Sequence, residues 1–116
     1  MSYHEHTDKR FARQLRAGAP EAFAALMDFN AKALEGENSA IPRKYVELIA
    51  MGIALTTQCA YCIEIHAAAA RDEGVTQQEL AETVMIASSL RAGGSFAHGF
   101  MAMKFFEQAE ANATQA

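Results

Sequence analysis

Cys59, Cys62 and His66 fall within one short window, spaced C-x-x-C-x-x-x-H. They are both cysteines of the chain and one of its four histidines. On a helix these positions stand at i, i+3 and i+7, so the three side chains share one face. A thiol pair close enough to form a disulfide, with an imidazole one turn on, is a redox arrangement. The thiolate is the reactive form, and helix starts lower a cysteine pKa. The same three residues could begin a zinc site. Zinc takes four ligands, or three and a water, and no second C-x-x-C or H-x-x-x-H completes the set.

The segments around this window read as helices. Pro42 opens a helix that runs to about Thr57, with Leu48 to Leu55 apolar all round, as expected at the centre of a bundle or at a subunit contact. Thr56-Thr57-Gln58 makes a turn, and the cysteine helix follows to Asp72 or Glu73, stopped by Gly74. Counting outward equally from Thr57 brings Glu47 level with position 67, next to His66. Glu47 is the only charged residue of its helix after Lys44, and burying a lone carboxylate is costly. His66 and the thiols are one set of partners for it; Arg43 or Lys44, on a surface, are the other.

The rest of the chain supports these two helices. Phe11 and Leu15 anchor a short helix ending at Arg16, after a mobile start in which His4 and His6 read as surface residues. Pro20 begins a second helix, with Phe23, Leu26, Met27, Asn30 and Leu34 as one buried stripe. Thr76-Gln77-Gln78-Glu79 is a capping box for a fifth helix, with Leu80, Val84, Ala87 and Leu90 turned inward and an end near Arg91. Gly93-Gly94 then separates a last helix, about Ser95 to Glu110, before a frayed tail from Ala111. The expected fold is an all-α bundle of about six helices in a single domain over the whole chain, with C-x-x-C at the start of a central helix.

Composition narrows the function classes. The net charge is −4, which disfavours a nucleic-acid partner, since phosphate binding needs a basic patch. No apolar run reaches the roughly 20 residues of a membrane span, and no secretory signal is visible, so no membrane partner and a cytoplasmic location are expected. In a reducing compartment a C-x-x-C pair is catalytic or metal-binding rather than a structural staple. Apolar residues make up 51% of the chain, with Phe96, Phe100, Met101, Phe105 and Phe106 on several faces of the last helix, more than one small core can hide. A homo-oligomer is expected.

Taken together, Glu47, the apolar helix, Cys59-Ala60-Tyr61-Cys62-Ile63-Glu64-Ile65-His66, Gly74-Val75-Thr76, Gly93-Gly94 and His98 resemble the AhpD-like alkylhydroperoxidases of the carboxymuconolactone decarboxylase superfamily. The resemblance runs from Pro42 to Phe105. It rests on a glutamate twelve positions before the first cysteine, followed by C-x-x-C-x-x-x-H. It implies an all-α fold, trimers or hexamers, and a thiol-dependent peroxidase that needs no bound cofactor. Its substrate would be a hydroperoxide, and an external dithiol, lipoyl or thioredoxin-like, would restore the thiols. By resemblance Cys62 would be the attacking cysteine and Cys59 the resolving one. His66 and Glu47 would form the proton relay. The nearness of Cys62 to His66 along the helix agrees with that order, whereas the helix start favours a Cys59 thiolate.

Two features set the chain apart. The alkylhydroperoxidases are longer and carry a further histidine between the cysteines, where this chain has Tyr61. Tyr61 reads as packing more than catalysis, and His98 as packing with a possible place near the site. The decarboxylase branch lacks the cysteine pair, so the pair argues for redox chemistry. A redox-responsive sensor or binding protein, and a decarboxylase-branch lyase, are the alternative functions.

Overall fold

A computed structural model describes residues 2–115. Five α-helices follow a 3-10 turn at Asp8–Phe11: α1 (Ala12–Gly18), α2 (Pro20–Glu35), α3 (Arg43–Thr57), α4 (Ala60–Asp72) and α5 (Gln77–Gln115). Among the described residues there is no strand. Pro20 stands at the start of α2, where its missing N–H is no loss. Pro42 is the N-cap residue of α3, in extended conformation, one residue before the helix begins.

α3 is the axis of the fold and packs against α4 on one side and the first half of α5 on the other. The turn between α3 and α4 is only two residues long. Gln58 takes a left-handed conformation, φ 57°, and Cys59 is extended and caps α4. Both their amides return to the Ala54 carbonyl, which closes the end of α3. Arg91 of α5 donates to the Thr56 carbonyl at 2.6 Å, so a cation holds the negative end of the same helix. Gly74, φ 82°, turns the chain out of α4. Thr76 and Glu79 form the expected capping box: the Glu79 amide donates to Thr76 Oγ1 at 3.1 Å, and the Thr76 amide to Glu79 Oε1 at 2.9 Å.

The break expected at Gly93-Gly94 is absent. α5 continues through both glycines and through the tail expected to fray, for 39 residues. At 1.5 Å per residue that is roughly 58 Å, the long dimension of the molecule. A glycine inside a helix costs only about 1 kcal/mol against alanine and keeps its amide, so helix formers on both sides carry the helix across. The expected six helices are therefore five.

The core is small. Met51, Ala54, Ala70 and Ala87 are its buried apolar residues, and Glu47 lies buried among them. Ala87 is buried as expected, but Leu90 is exposed, and Leu26 and Met27 of the expected α2 stripe are largely open. The chain exposes 9392 Å², against about 6,200 Å² for a compact protein of its mass. Its radius of gyration is 20.3 Å, against about 13 Å for a compact chain of this length.

Candidate functional site

The α3–α4 hairpin brings Glu47 and His66 into contact, as the count from Thr57 predicts. His66 Nδ1 lies 2.7 Å from Glu47 Oε2. The other carboxylate oxygen, Oε1, accepts from Arg43 Nε at 2.9 Å and Nη2 at 2.7 Å. Arg43 also reaches Glu35 of α2 at 3.5 Å. His66 and Arg43 are thus both partners of Glu47, one on each oxygen, but the carboxylate is buried rather than on the surface, and Lys44 pairs with Glu79 instead. Glu47 is 0% exposed and every lone-pair direction that matters is occupied. Burial alone raises a carboxyl pKa, but the hydrogen bonds from His66 and Arg43 outweigh it and hold Glu47 below its ordinary value. An ionised Oε2 accepts the Nδ1 proton, which leaves the lone pair of His66 on Nε2.

This linkage sets a pH window. The native pKa lies below the ordinary 4.5, so the unfolded chain binds the proton first. The stabilisation is complete above about pH 4.5 and is lost as pH falls through the native value. Glu47→Gln is expected to cost on the order of 3 kcal/mol at neutral pH and to flatten the acid limb of the stability profile. Urea unfolding from pH 6 to pH 3 measures both. Equal slopes in wild type and variant contradict this account.

The cysteines sit at the head of α4. Cys59 is the N-cap residue, and its sulfur accepts the Cys62 amide at 3.2 Å. A hydrogen bond from the Cys62 thiol, with the amides of the helix start, lowers the Cys59 pKa. The same thiol–thiolate bond, with burial, raises the Cys62 pKa. Of the two thiols, Cys59 is therefore the one that ionises more readily. Both cysteines are half-buried free thiols. No hydrogen bond joins His66 to either sulfur among the described residues.

Tyr61 is tied to the N-terminal segment. Its hydroxyl donates to Asp8 Oδ2 at 2.9 Å and lies 3.4 Å from the Tyr3 carbonyl. The His4 ring meets the Tyr61 ring edge-on, centroids 4.4 Å apart, and His4 Nε2 lies 3.0 Å from Glu64 Oε2. His4, expected to be a surface residue of a mobile start, is instead held against α4. Asp8 and Arg91 joined no expected site; Asp8 stands 53 residues from Tyr61, and no local pattern announces such a contact. His98 is exposed on α5, donates Nδ1–H to the Gly94 carbonyl at 2.9 Å, and makes no bond to the cysteines, His66 or Glu47. The separate last helix expected from about Ser95 is the continuation of α5, and His98 lies on it.

No helix among the described residues is long and apolar enough to cross a membrane. No three His, Cys, Asp or Glu side chains among them stand together at metal-holding distances.

Comparison with known proteins places the same elements in a family. The model of the carboxymuconolactone decarboxylase family matches residues 20–105, from the start of α2 into the distal part of α5. The chain is also similar to "Uncharacterized protein 4 in cox locus" of Paracoccus denitrificans, with 35% identity over 95 residues, covering 80% of this chain and 81% of that protein. The matched span holds all of α2, α3 and α4, the cysteine turn and the buried Glu47–His66 pair. By sequence, and by an all-helical fold centred on that hairpin, the chain belongs to the carboxymuconolactone decarboxylase family.

Proposed function

We propose that the protein is a thiol-dependent peroxidase of the alkylhydroperoxidase type, with Cys59 and Cys62 as its redox pair and Glu47–His66 as its proton relay. The observation that supports this most is the Cys59 sulfur at the head of α4, receiving an amide from the helix while the buried carboxylate orients His66 on the same helix.

The steps follow from which thiol ionises more readily. Cys59 thiolate attacks the outer oxygen of a hydroperoxide, ROOH. The O–O bond breaks, Cys59 becomes a sulfenic acid, and the alkoxide leaves as the alcohol after taking a proton. Cys62 is still a thiol. His66 Nε2, freed by the Nδ1–Glu47 bond, takes its proton as the Cys62 sulfur attacks Cys59. The sulfenic oxygen leaves as water with that proton, and a disulfide remains. An external dithiol, lipoyl or thioredoxin-like, is oxidised in turn and restores both thiols. This order puts Cys59 first, the reverse of the order that the family resemblance implies. It assigns the relay to resolution rather than to attack.

The enzyme works in this reading as a homo-oligomer in a reducing, cytoplasmic setting. The surface left open by one chain exceeds that of a compact protein by roughly 3,000 Å², the size of an obligate subunit interface.

The test is consumption of cumene hydroperoxide with a dithiol donor, alongside mass spectrometry of the protein. Sustained turnover, and a loss of two hydrogens on peroxide treatment that a dithiol reverses, are expected. A disulfide without turnover turns the reading to a redox sensor. Thiols that survive peroxide remove the redox reading and leave a lyase.

A further inference from the structure

The contacts of Tyr61 have no part in the reaction as written, and they come from a segment that precedes the family-matched span. We propose that residues 3–11 are a clamp on the first turn of α4, in which Asp8 and Tyr61 are positioning residues that hold backbone amides on the Cys59 sulfur. The inference rests on the redox role given to Cys59 above.

Tyr61 is the residue where the two parts meet. It lies in the first turn of α4, between Cys59 and the Cys62 amide that donates to the Cys59 sulfur, and its side chain is partly exposed on the outer side of the helix. First-turn residues have no intrahelical partner for their amides and fray unless something holds them. Here the side chain is held at two points. Asp8 Oδ2 accepts the Tyr61 hydroxyl at 2.9 Å. The His4 ring covers the Tyr61 edge, and His4 is anchored in turn on Glu64, one turn further along α4. Asp8 is itself fixed, because the same Oδ2 accepts the Glu5 amide at 2.9 Å and the Asp8 amide returns to the Glu5 carbonyl at 3.0 Å. A closed turn therefore presents one carboxylate oxygen to one hydroxyl.

The ionic state of the pair is consistent with a clamp. The hydrogen bonds from the Glu5 amide and Tyr61 keep Asp8 below its ordinary pKa, so the acceptor stays ionised. The bond to Asp8 holds the Tyr61 proton on its oxygen. The titratable and charged groups around the Cys59 turn are Cys62, Tyr61 and Glu64 of α4, His4 and Asp8 of the N-terminal segment, and Arg91 of α5. Asp8 is an anion, and removing an anion alone would favour the Cys59 thiolate. Losing the clamp does the opposite, because the amides drift from the sulfur. The two effects have opposite signs and can be separated.

The experiment is the pH profile of Cys59 alkylation by limiting iodoacetamide, read by peptide mapping on the full-length protein. Asp8→Ala and Tyr61→Phe are each expected to slow Cys59 alkylation at pH 7 about three- to tenfold, because a higher pKa leaves less of the reactive thiolate. The double variant should be no slower than either single one, since both cut the same bond. Asp8→Asn keeps an acceptor and loses the charge, and should stay within twofold of wild type. Circular dichroism and light scattering identical to wild type show that the variants fold and assemble. Unchanged profiles in Asp8→Ala and Tyr61→Phe overturn the clamp, as does faster alkylation in Asp8→Ala and Asp8→Asn alike. Alkylation needs no peroxide, so a protein that keeps these shifts but consumes no hydroperoxide retains the clamp and loses the peroxidase reading.

Discussion

Cys59→Ser is expected to bring peroxide consumption down to the uncatalysed rate and to leave Cys62 unlabelled by dimedone after peroxide. Cys62→Ser should still accept one oxidising equivalent, as a sulfenic acid on Cys59 that dimedone traps, without sustained turnover on a dithiol. The reason is that the surroundings favour ionisation of Cys59 over Cys62. The Cys59 sulfur accepts the Cys62 amide at the head of α4, and the bond between the two sulfurs lowers the Cys59 pKa while it raises that of Cys62. The thiolate attacks and the thiol waits. His66→Ala then gives a distinct signature: the first oxidation proceeds at close to the wild-type rate, while resolution slows by roughly 10²–10⁴-fold, the usual weight of a general base. Sulfenic acid should accumulate in a single turnover of that variant. Labelling of Cys62 in Cys59→Ser, with none of Cys59 in Cys62→Ser, reverses the order proposed here and restores the one that the resemblance implies.

Assembly is expected to show an effect on the whole fold. Light scattering at micromolar concentration should find a symmetric homo-oligomer, a trimer or hexamer by family resemblance, and no monomer. Phe96→Glu with Phe100→Glu should shift it to monomer and remove cooperative thermal unfolding. Phe96 and Phe100 stack edge-on, 5.3 Å apart, on a stretch of α5 where both rings are mostly exposed, and Met103 and Phe106 extend the same open apolar surface. A soluble protein does not leave so large an apolar surface to water. With four buried apolar residues as its core, one chain has too little burial to offset its ordering entropy. If each ring is covered by a neighbouring subunit, a Phe→Ala change costs about 3–5 kcal/mol, and a carboxylate at the same place costs more because it must be desolvated. A wild-type chain that is monomeric and melts cooperatively would falsify this account.

The sequence by itself determined what depends on local geometry. C-x-x-C-x-x-x-H sets Cys62 and His66 one turn apart on α4, with Cys59 at its N-cap. The capping box at Thr76, the stop at Gly74 and the start at Pro20 are choices made within four residues, so they were legible and were found where expected. Even the Glu47–His66 contact followed from counting, because a tight hairpin leaves two helices almost no freedom of register.

Tertiary structure decided the rest. It set Arg43 and His66 on separate oxygens of one buried carboxylate, where the sequence offered them as alternatives. It carried α5 through Gly93 and Gly94, because a glycine weakens a helix without ending it. It also brought Asp8 to Tyr61 and His4 to Glu64 from a segment whose composition marked it only as polar. Contacts between residues so far apart in the chain leave no periodicity to read. They exist only once α4 has folded and offers a hydroxyl and a carboxylate to the segment that lies across it.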